Sequence, residues 1–221
     1  MKFDNRKQAV KDMMLLYGVT DRTWSSNYPL IQRITEALDN GMTCVQLREK
    51  HMSDEDFLSE AREVSALCKH YNVPFIINDN VDVAIACGAD GIHVGQSDEA
   101  ATQVRARVGS SMIVGVSTSS LEEAIKAEKD GADYVGVGAV FSTSTKADAD
   151  YLSMDELRAI CETVNIPTVA IGGIHAGNIQ LLQGTGIDGV AVVSAIFGAD
   201  DSAVATAQLR ALAEKVVPEH A

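Results

Sequence analysis

Short apolar runs alternate along this chain with longer segments in which apolar residues recur at the three- and four-residue spacing of a helix. The runs predict strands near 14–19 (MLLYGV), 43–48 (TCVQLR), 74–78 (PFIIN), 90–94 (DGIHV), 112–117 (MIVGVS), 133–138 (DYVGVG), 167–171 (PTVAI) and 188–193 (DGVAVV). Between them, segments such as 54–71, 119–130, 152–163 and 200–216 predict helices. The junctions repeat: GADGIHV at 88–94, GADYVGV at 131–137 and GIDGVAV at 186–192. In each, the glycine is expected to end a helix in the left-handed conformation and the aspartate to turn the chain into the next strand. Alternating strands and helices imply a parallel α/β fold, and eight such units in 221 residues fit a (β/α)8 barrel. A doubly wound open sheet is the alternative, against which the near-equal spacing and the uniform composition count. The expectation is one TIM-barrel domain over residues 1–221 with a short N-terminal helical extension.

Composition narrows the function more than the fold. Apolar residues make up 46% of the chain, enough for a sizeable core. No apolar run approaches the roughly 20 residues of a membrane span. The opening MKFDNRKQAVKDMM mixes both charge signs without an apolar stretch, so no signal peptide is expected. A net charge of −13 disfavours nucleic acid and anionic membrane surfaces as partners. Cys44, Cys68, Cys87 and Cys161 lie far apart among apolar neighbours, without metal-ligand spacing, and read as small buried side chains. A cytoplasmic location is the expectation. The sequence is silent on oligomeric state, so a homo-oligomer stays open.

With so negative a chain, an anionic ligand must be drawn by local cations. One stretch offers that chemistry: AVFSTSTKADAD at 139–150 ends an apolar run in four hydroxyl residues and Lys146. Hydroxyl donors beside a lysine suit a phosphate oxygen, whereas a solvated loop is the plainer reading. The other strand ends bear on that choice, because in a barrel the loops after the strands build the site. Thr20, Asp21 and Arg22 follow the first strand; Gln46, Arg48, Glu49 and Lys50 come with the second. Asn78, Asp79 and Asn80 follow the third, Gly95 to Asp98 the fourth, and Ser117 and Thr118 the fifth. The seventh ends in Gly172-Gly173, and Ser194 opens a helix after the eighth. The last two are the ingredients of a barrel phosphate site, in which backbone N–H groups and a helix start bind the anion, although a glycine pair is often just a tight turn. Asp79 and Asp98 read either as helix caps or as ligands of one Mg²⁺, which typically takes one or two carboxylates plus water and phosphate oxygens. Arg48, Lys50 and Lys146 supply cations. A site with a monophosphate pocket, a metal pair and three cations suits two phosphorylated small-molecule substrates at once. His93 and His175 read as hydrogen-bonded structural residues, and Trp24 as a loop anchor or lid.

The motifs VTDR (19–22), QLREK (46–50), INDNVDVA (77–84), DGIHVGQSD (90–98), VGVS (114–117), STSTK (142–146), AIGGI (170–174) and VVSAI (192–196) resemble those of the thiamine phosphate synthase family, in order and over nearly the whole chain. The resemblance implies a transferase barrel of thiamine biosynthesis. Such an enzyme condenses 4-amino-5-hydroxymethyl-2-methylpyrimidine diphosphate with thiazole phosphate, 4-methyl-5-(2-phosphoethyl)thiazole or its carboxylated form, using Mg²⁺ and releasing pyrophosphate through a carbocation. Carried over by position, it implies that Gln46, Leu47, Arg48, Glu49 and Lys50 line the pyrimidine diphosphate site, with Asn78 facing the diphosphate. Asp79 and Asp98 would bind the metal, and Ser117 and Lys146 the pyrophosphate. Thr143, Ser144, Thr145, Gly173, Val193 and Ser194 would hold the thiazole phosphate. Arg48, Lys50, Ser117 and Lys146 are thus the implied catalytic set. Ser142 stands where the family usually has proline. The rivals are a thiazole tautomerase, a phosphosugar epimerase or isomerase on the same kind of barrel, and a non-catalytic phosphate sensor.

Overall fold

Each repeated junction fastens one strand to its neighbour. In the first, Gly88 closes a helix with φ of 64°, a left-handed conformation that glycine adopts without strain. Two residues later Asp90 accepts the Phe75 N–H at 2.9 Å. Asp133 likewise accepts the Val114 N–H at 2.9 Å, and Asp188 accepts the Thr168 N–H at 2.8 Å. In each unit the aspartate satisfies a donor at the start of the preceding strand, so the repeat sets the pairing of adjacent strands as well as the turn.

The computed structural model describes residues 3–24, 28–142 and 152–217. Eight parallel strands close into a barrel in chain order: β1 (Leu16–Val19), β2 (Cys44–Leu47), β3 (Phe75–Asn78), β4 (Gly91–Val94), β5 (Ile113–Thr118), β6 (Tyr134–Val137), β7 (Thr168–Ile171) and β8 (Gly189–Val192). The open-sheet alternative is excluded by β1 pairing with β8, Tyr17 opposite Ala191. The described helices are α1 (Phe3–Met13), α2 (Leu30–Asp39), α3 (Asp54–Tyr71), α4 (Val81–Cys87), α5 (Ala101–Val108), α6 (Leu121–Lys129), α7 (Met154–Thr163), α8 (Ser194–Phe197) and α9 (Ser202–Val216). Capping fixes several starts: Ser53 accepts the Asp56 N–H, and Ser153 and Glu156 form a reciprocal capping box. One unit departs from the expected pattern. The crossover from β7 to β8 contains a single 3-10 turn, Ile179–Leu182, hemmed in by Gly177 before it and Gly184 and Gly186 after it.

Two cores result. Val45, Leu47, Ile77, Ile92 and Val135 point outward from the strands into the layer shared with the helices. Tyr17, Cys44, Ile76, Tyr134, Val169 and Ala191 fill the barrel, packed below by Val10 and Met13 of α1 and by Met14. The junction aspartates also anchor α1: Arg6 pairs with Asp133 at 3.1 Å and Lys11 with Asp188 at 2.9 Å. The N-terminal helix therefore plugs the lower end and leaves the rim beyond the strand C-termini as the open face. Cys44, Cys68 and Cys87 are buried, as expected, and Cys161 is half-buried. Burial pushes the Cys68 and Cys161 thiols up to about 12. No described helix is long and apolar enough to cross a membrane.

Candidate active site

A cavity of about 460 Å³ opens at that rim, lined from β1 round to β8. Only part of QLREK, which runs from the end of β2 into the turn beyond it, reaches the cavity. Gln46, Arg48 and Lys50 line the cavity, whereas Leu47 packs in the outer core. Glu49 also turns away: its carboxylate takes a two-pronged ion pair from Arg22, at 2.9 and 3.0 Å, and Arg22 reaches on to Glu60 of α3. Burial raises the Glu49 carboxyl above its ordinary range against the pull of Arg22. Of the five residues expected to line the pyrimidine diphosphate site, three line the cavity. Leu47 alternates with Gln46 on β2 and so faces the helices, and Glu49, beyond the end of the strand, is drawn off by Arg22.

Arg48 is set in place before any ligand arrives. Its guanidinium pairs with Asp21 at 2.8 Å, and its N–H donates to the buried Thr20 hydroxyl at 3.0 Å. Burial works against the Asp21 charge, but hydrogen bonds from Thr23 and the Arg48 cation outweigh it and hold the carboxyl below its usual value.

Across the rim, β3 ends in Asn78 and Asp79. Asp79 has φ of 62°, the left-handed region that costs a non-glycine residue about 1–3 kcal/mol and persists mainly where a site demands it. This conformation brings its carboxylate against both the Lys50 ammonium and the Asp98 carboxylate. Burial first, and Asp98 after it, raise the Asp79 carboxyl; Lys50 pulls the other way. Asp98 is fixed by accepting the Gly95 N–H at 2.8 Å. The helix-cap reading of the two aspartates fails. Asn80 caps α4 by accepting the Val83 N–H, and the residue before α5 is Ala100, with no side-chain cap. Asn78 adds a buried Nδ2 with no partner among the described residues. Two neighbouring carboxylates that act on each other's charge, one of them on a residue with positive φ, fit a divalent cation, and an orphaned amide donor on the adjacent residue fits an anion.

The opposite wall comes from β7 and β8. Gly173 has φ of 64°, and a Cβ there would sit 2.3 Å from the Ser142 carbonyl oxygen. Glycine is thus required twice over, by conformation and by the close approach of the segment leaving β6. That segment is stitched down by Val140 N–H to Ile171 O at 3.0 Å and Phe141 N–H to Gly172 O at 3.1 Å. Val193 and Ser194, at the entrance to α8, line the cavity beside Gly173. Thr143, Ser144, Thr145 and Lys146 lie outside the described residues, so the expectations placed on them rest on sequence. The Trp24 side chain is likewise outside the description.

Comparison with known proteins decides the family. A family model described as thiamine monophosphate synthase matches residues 16–196. The chain belongs to that family. It is therefore a transferase by kinship and a barrel by shape. It is 50% identical to thiamine-phosphate synthase of Alkaliphilus oremlandii over 196 residues, 89% of this chain and 94% of that one. It is 52% identical to its counterpart in Ruminiclostridium cellulolyticum over 186 residues, 84% and 89% of the two chains. Among solved structures, thiamine phosphate pyrophosphorylase from Pyrococcus furiosus superposes with a TM-score of 0.88 at 39% identity, covering 95% of this chain and all of that one.

Sequence reasoning missed one group of residues. His93, expected as a hydrogen-bonded structural residue, does engage both ring nitrogens, with the Tyr134 hydroxyl and the Ser117 hydroxyl, each at 2.9 Å. Yet it lines the cavity, and so does Tyr17 below it. The available signal was a polar histidine and two tyrosines in otherwise apolar inward positions. His175 is a turn residue as expected, its Nδ1 accepting the Gly177 N–H at 3.1 Å.

Proposed function

We propose that this cavity condenses 4-amino-5-hydroxymethyl-2-methylpyrimidine diphosphate with 4-methyl-5-(2-phosphoethyl)thiazole to give thiamine phosphate and pyrophosphate. The observation that carries the proposal is the arrangement of two unlike anion sites in one cavity. The charged cluster after β2 to β4 suits a diphosphate with its metal, and the glycine turn and helix entrance after β7 and β8 suit a monophosphate.

In this reading the bond between the pyrimidine methylene carbon and the diphosphate oxygen breaks, and its electron pair leaves with pyrophosphate. The thiazole nitrogen then gives its lone pair to the methylene carbon, so no proton need be moved and no general base is required. Arg48, Lys50 and the Asn78 amide bind the diphosphate, and their charge stabilisation grows as the oxygen becomes anionic. Asp79 and Asp98 are the residues that would hold Mg²⁺, which when bound would supply charge neutralisation on the leaving oxygens. Among the described residues there is no larger cluster of metal-ligating side chains, which fits an ion that typically takes one or two carboxylates and would draw its other ligands from water and phosphate. Gly173 and Ser194 fix the thiazole phosphate so that the ring nitrogen faces the methylene carbon.

Mixing the two phosphorylated halves with Mg²⁺ and reading thiamine phosphate by fluorescence after oxidation tests the reading. Product that forms with both substrates and disappears with EDTA is expected. Conversion of the thiazole alone, without coupling, would mean a tautomerase instead.

A further inference from the structure

Below the cavity floor, polar groups form an unbroken buried chain through the middle of the barrel. The Gln46 amide N–H donates to the Tyr17 hydroxyl at 2.6 Å, Tyr17 meets the Tyr134 hydroxyl at 2.8 Å, and Tyr134 meets His93 Nδ1 at 2.9 Å. His93 Nε2 meets the Ser117 hydroxyl at 2.9 Å, at the cavity wall. The barrel is shaped around this chain. A Cβ at Gly115 would lie 2.1 Å from the Tyr134 ring and 2.4 Å from its hydroxyl oxygen, and one at Gly136 would crowd His93 at 3.2 Å. The glycines of VGVS and YVGVG are therefore the seats of Tyr134 and His93. Burial holds both phenols far above their ordinary pKa, so each keeps its single proton.

We propose that Tyr17 and Tyr134 are positioning residues that fix His93 as its Nε2–H tautomer and thereby commit the Ser117 proton to the cavity. The argument is a proton count. An amide NH₂ can only donate, so Tyr17 accepts from Gln46 and has one proton left to give. Given to Tyr134, it leaves the Tyr134 proton for His93 Nδ1. The imidazole then carries its proton on Nε2 and donates it to the Ser117 oxygen. Ser117 accepts on that side, so its own O–H points toward the anion. The reverse polarity would make Tyr17 accept twice and donate to Cys44 beside it, a weak sulfur acceptor. It would also spend the Ser117 proton on His93. A hydroxyl aimed in advance at a leaving pyrophosphate stabilises charge without reorganising during the reaction.

The inference rests on the proposed coupling only for its kinetic consequence, so the test has two arms. Long-range ¹H–¹⁵N correlation on histidine-labelled resting protein, with His93 assigned by the signals lost in His93→Asn, reads the tautomer directly. An Nε2–H pattern in the wild-type protein and growth of the Nδ1–H form in Tyr134→Phe are expected. An Nδ1–H or doubly protonated His93 in the wild-type protein overturns the proposal. In the coupling assay, Tyr134→Phe should lower kcat roughly 10- to 100-fold, as lost outer-shell partners do, and leave both KM values nearly unchanged. Combined with Ser117→Ala it should add no further loss. Unchanged kcat, or full additivity, overturns the proposal. The wild-type tautomer needs no substitution, so a poorly folding variant leaves the claim exposed to that result. Failure of the wild-type protein to make thiamine phosphate would overturn the proposed function and leave the tautomer reading standing.

Discussion

At the scale of single residues, the site is assembled by pairing charges before a ligand enters. Lys50 and Asp98 both lean on Asp79, and Asp21 holds Arg48. Asp79→Ala or Asp98→Ala should cut kcat/KM by about 2–4 kcal/mol and weaken the dependence on divalent metal. Full activity of either variant in EDTA would refute the metal assignment. The role proposed for Lys146 from sequence alone is to bind the leaving pyrophosphate, whose charge grows in the reaction; on that reading Lys146→Ala should lower kcat by the equivalent of about 2–4 kcal/mol. Thr143→Val and Thr145→Val should instead raise KM for the thiazole and spare kcat, since the charge on that monophosphate does not change. Varying each substrate separately distinguishes the two patterns. The cysteines make a pH prediction. Cys68 and Cys161 lose their protons near 12 when folded, against 9.0 ordinarily. A pKa raised by folding stabilises the native state below the unfolded value and loses that contribution as pH climbs to the folded one. Stability should therefore fall between about pH 9 and 12, by roughly 1.4 kcal/mol per pH unit for each thiol. Denaturant midpoints measured across that range should show a shallower slope in Cys68→Ala, with turnover at neutral pH unaffected.

At the scale of elements, the working unit is a strand end together with the turn that leaves it. Gly173 shows why. It belongs to β7's exit turn, yet the segment after β6 lies so close that a Cβ would overlap the Ser142 oxygen. Gly173→Ala should cost about 1–2 kcal/mol from the left-handed conformation alone. By pushing the Ser142 segment away it should also raise KM for the thiazole substrate. A variant with unchanged KM would show that the two loops do not form one phosphate site. The single 3-10 turn between β7 and β8 illustrates the same economy: a crossover need only return the chain, and the glycines on either side of the turn disfavour a longer helix.

At the scale of the whole molecule, the two ends of the barrel have opposite tasks. The lower end is closed by α1, through Val10 and Met13 against the barrel interior and through Arg6 and Lys11 on the junction aspartates. Removing residues 1–13 should lower the unfolding free energy by about 3–5 kcal/mol, the worth of two buried side chains of that size. Urea denaturation reads the loss directly. Because α1 and the cavity sit at opposite ends of the strands, KM values of the surviving folded fraction should change little. A large KM change would mean that α1 supports the site through the Tyr17–Tyr134 chain.

Sequence alone determined the repeating strand–helix unit, the parallel α/β class and the strand ends that carry most of the site's charged residues; closure into a barrel was its expectation, and the pairing of β1 with β8 decided it against the open sheet. Those features follow from local periodicity and from motifs read in order, and both survive without knowledge of contacts. It could not tell Gln46, Arg48 and Lys50 from Leu47 and Glu49, because the direction of each side chain depends on where the strand enters the barrel. Nor could it separate Asp79 and Asp98 from helix caps, since that distinction rests on where α4 and α5 begin. The buried chain from Gln46 to Ser117 spans β1, β2, β4, β5 and β6, residues far apart in sequence that meet only when the barrel closes. A tyrosine or histidine in an apolar run looks the same on the page whether it is packed or wired. Closure of the barrel decides which, because it alone brings the five polar groups within hydrogen-bonding reach of one another.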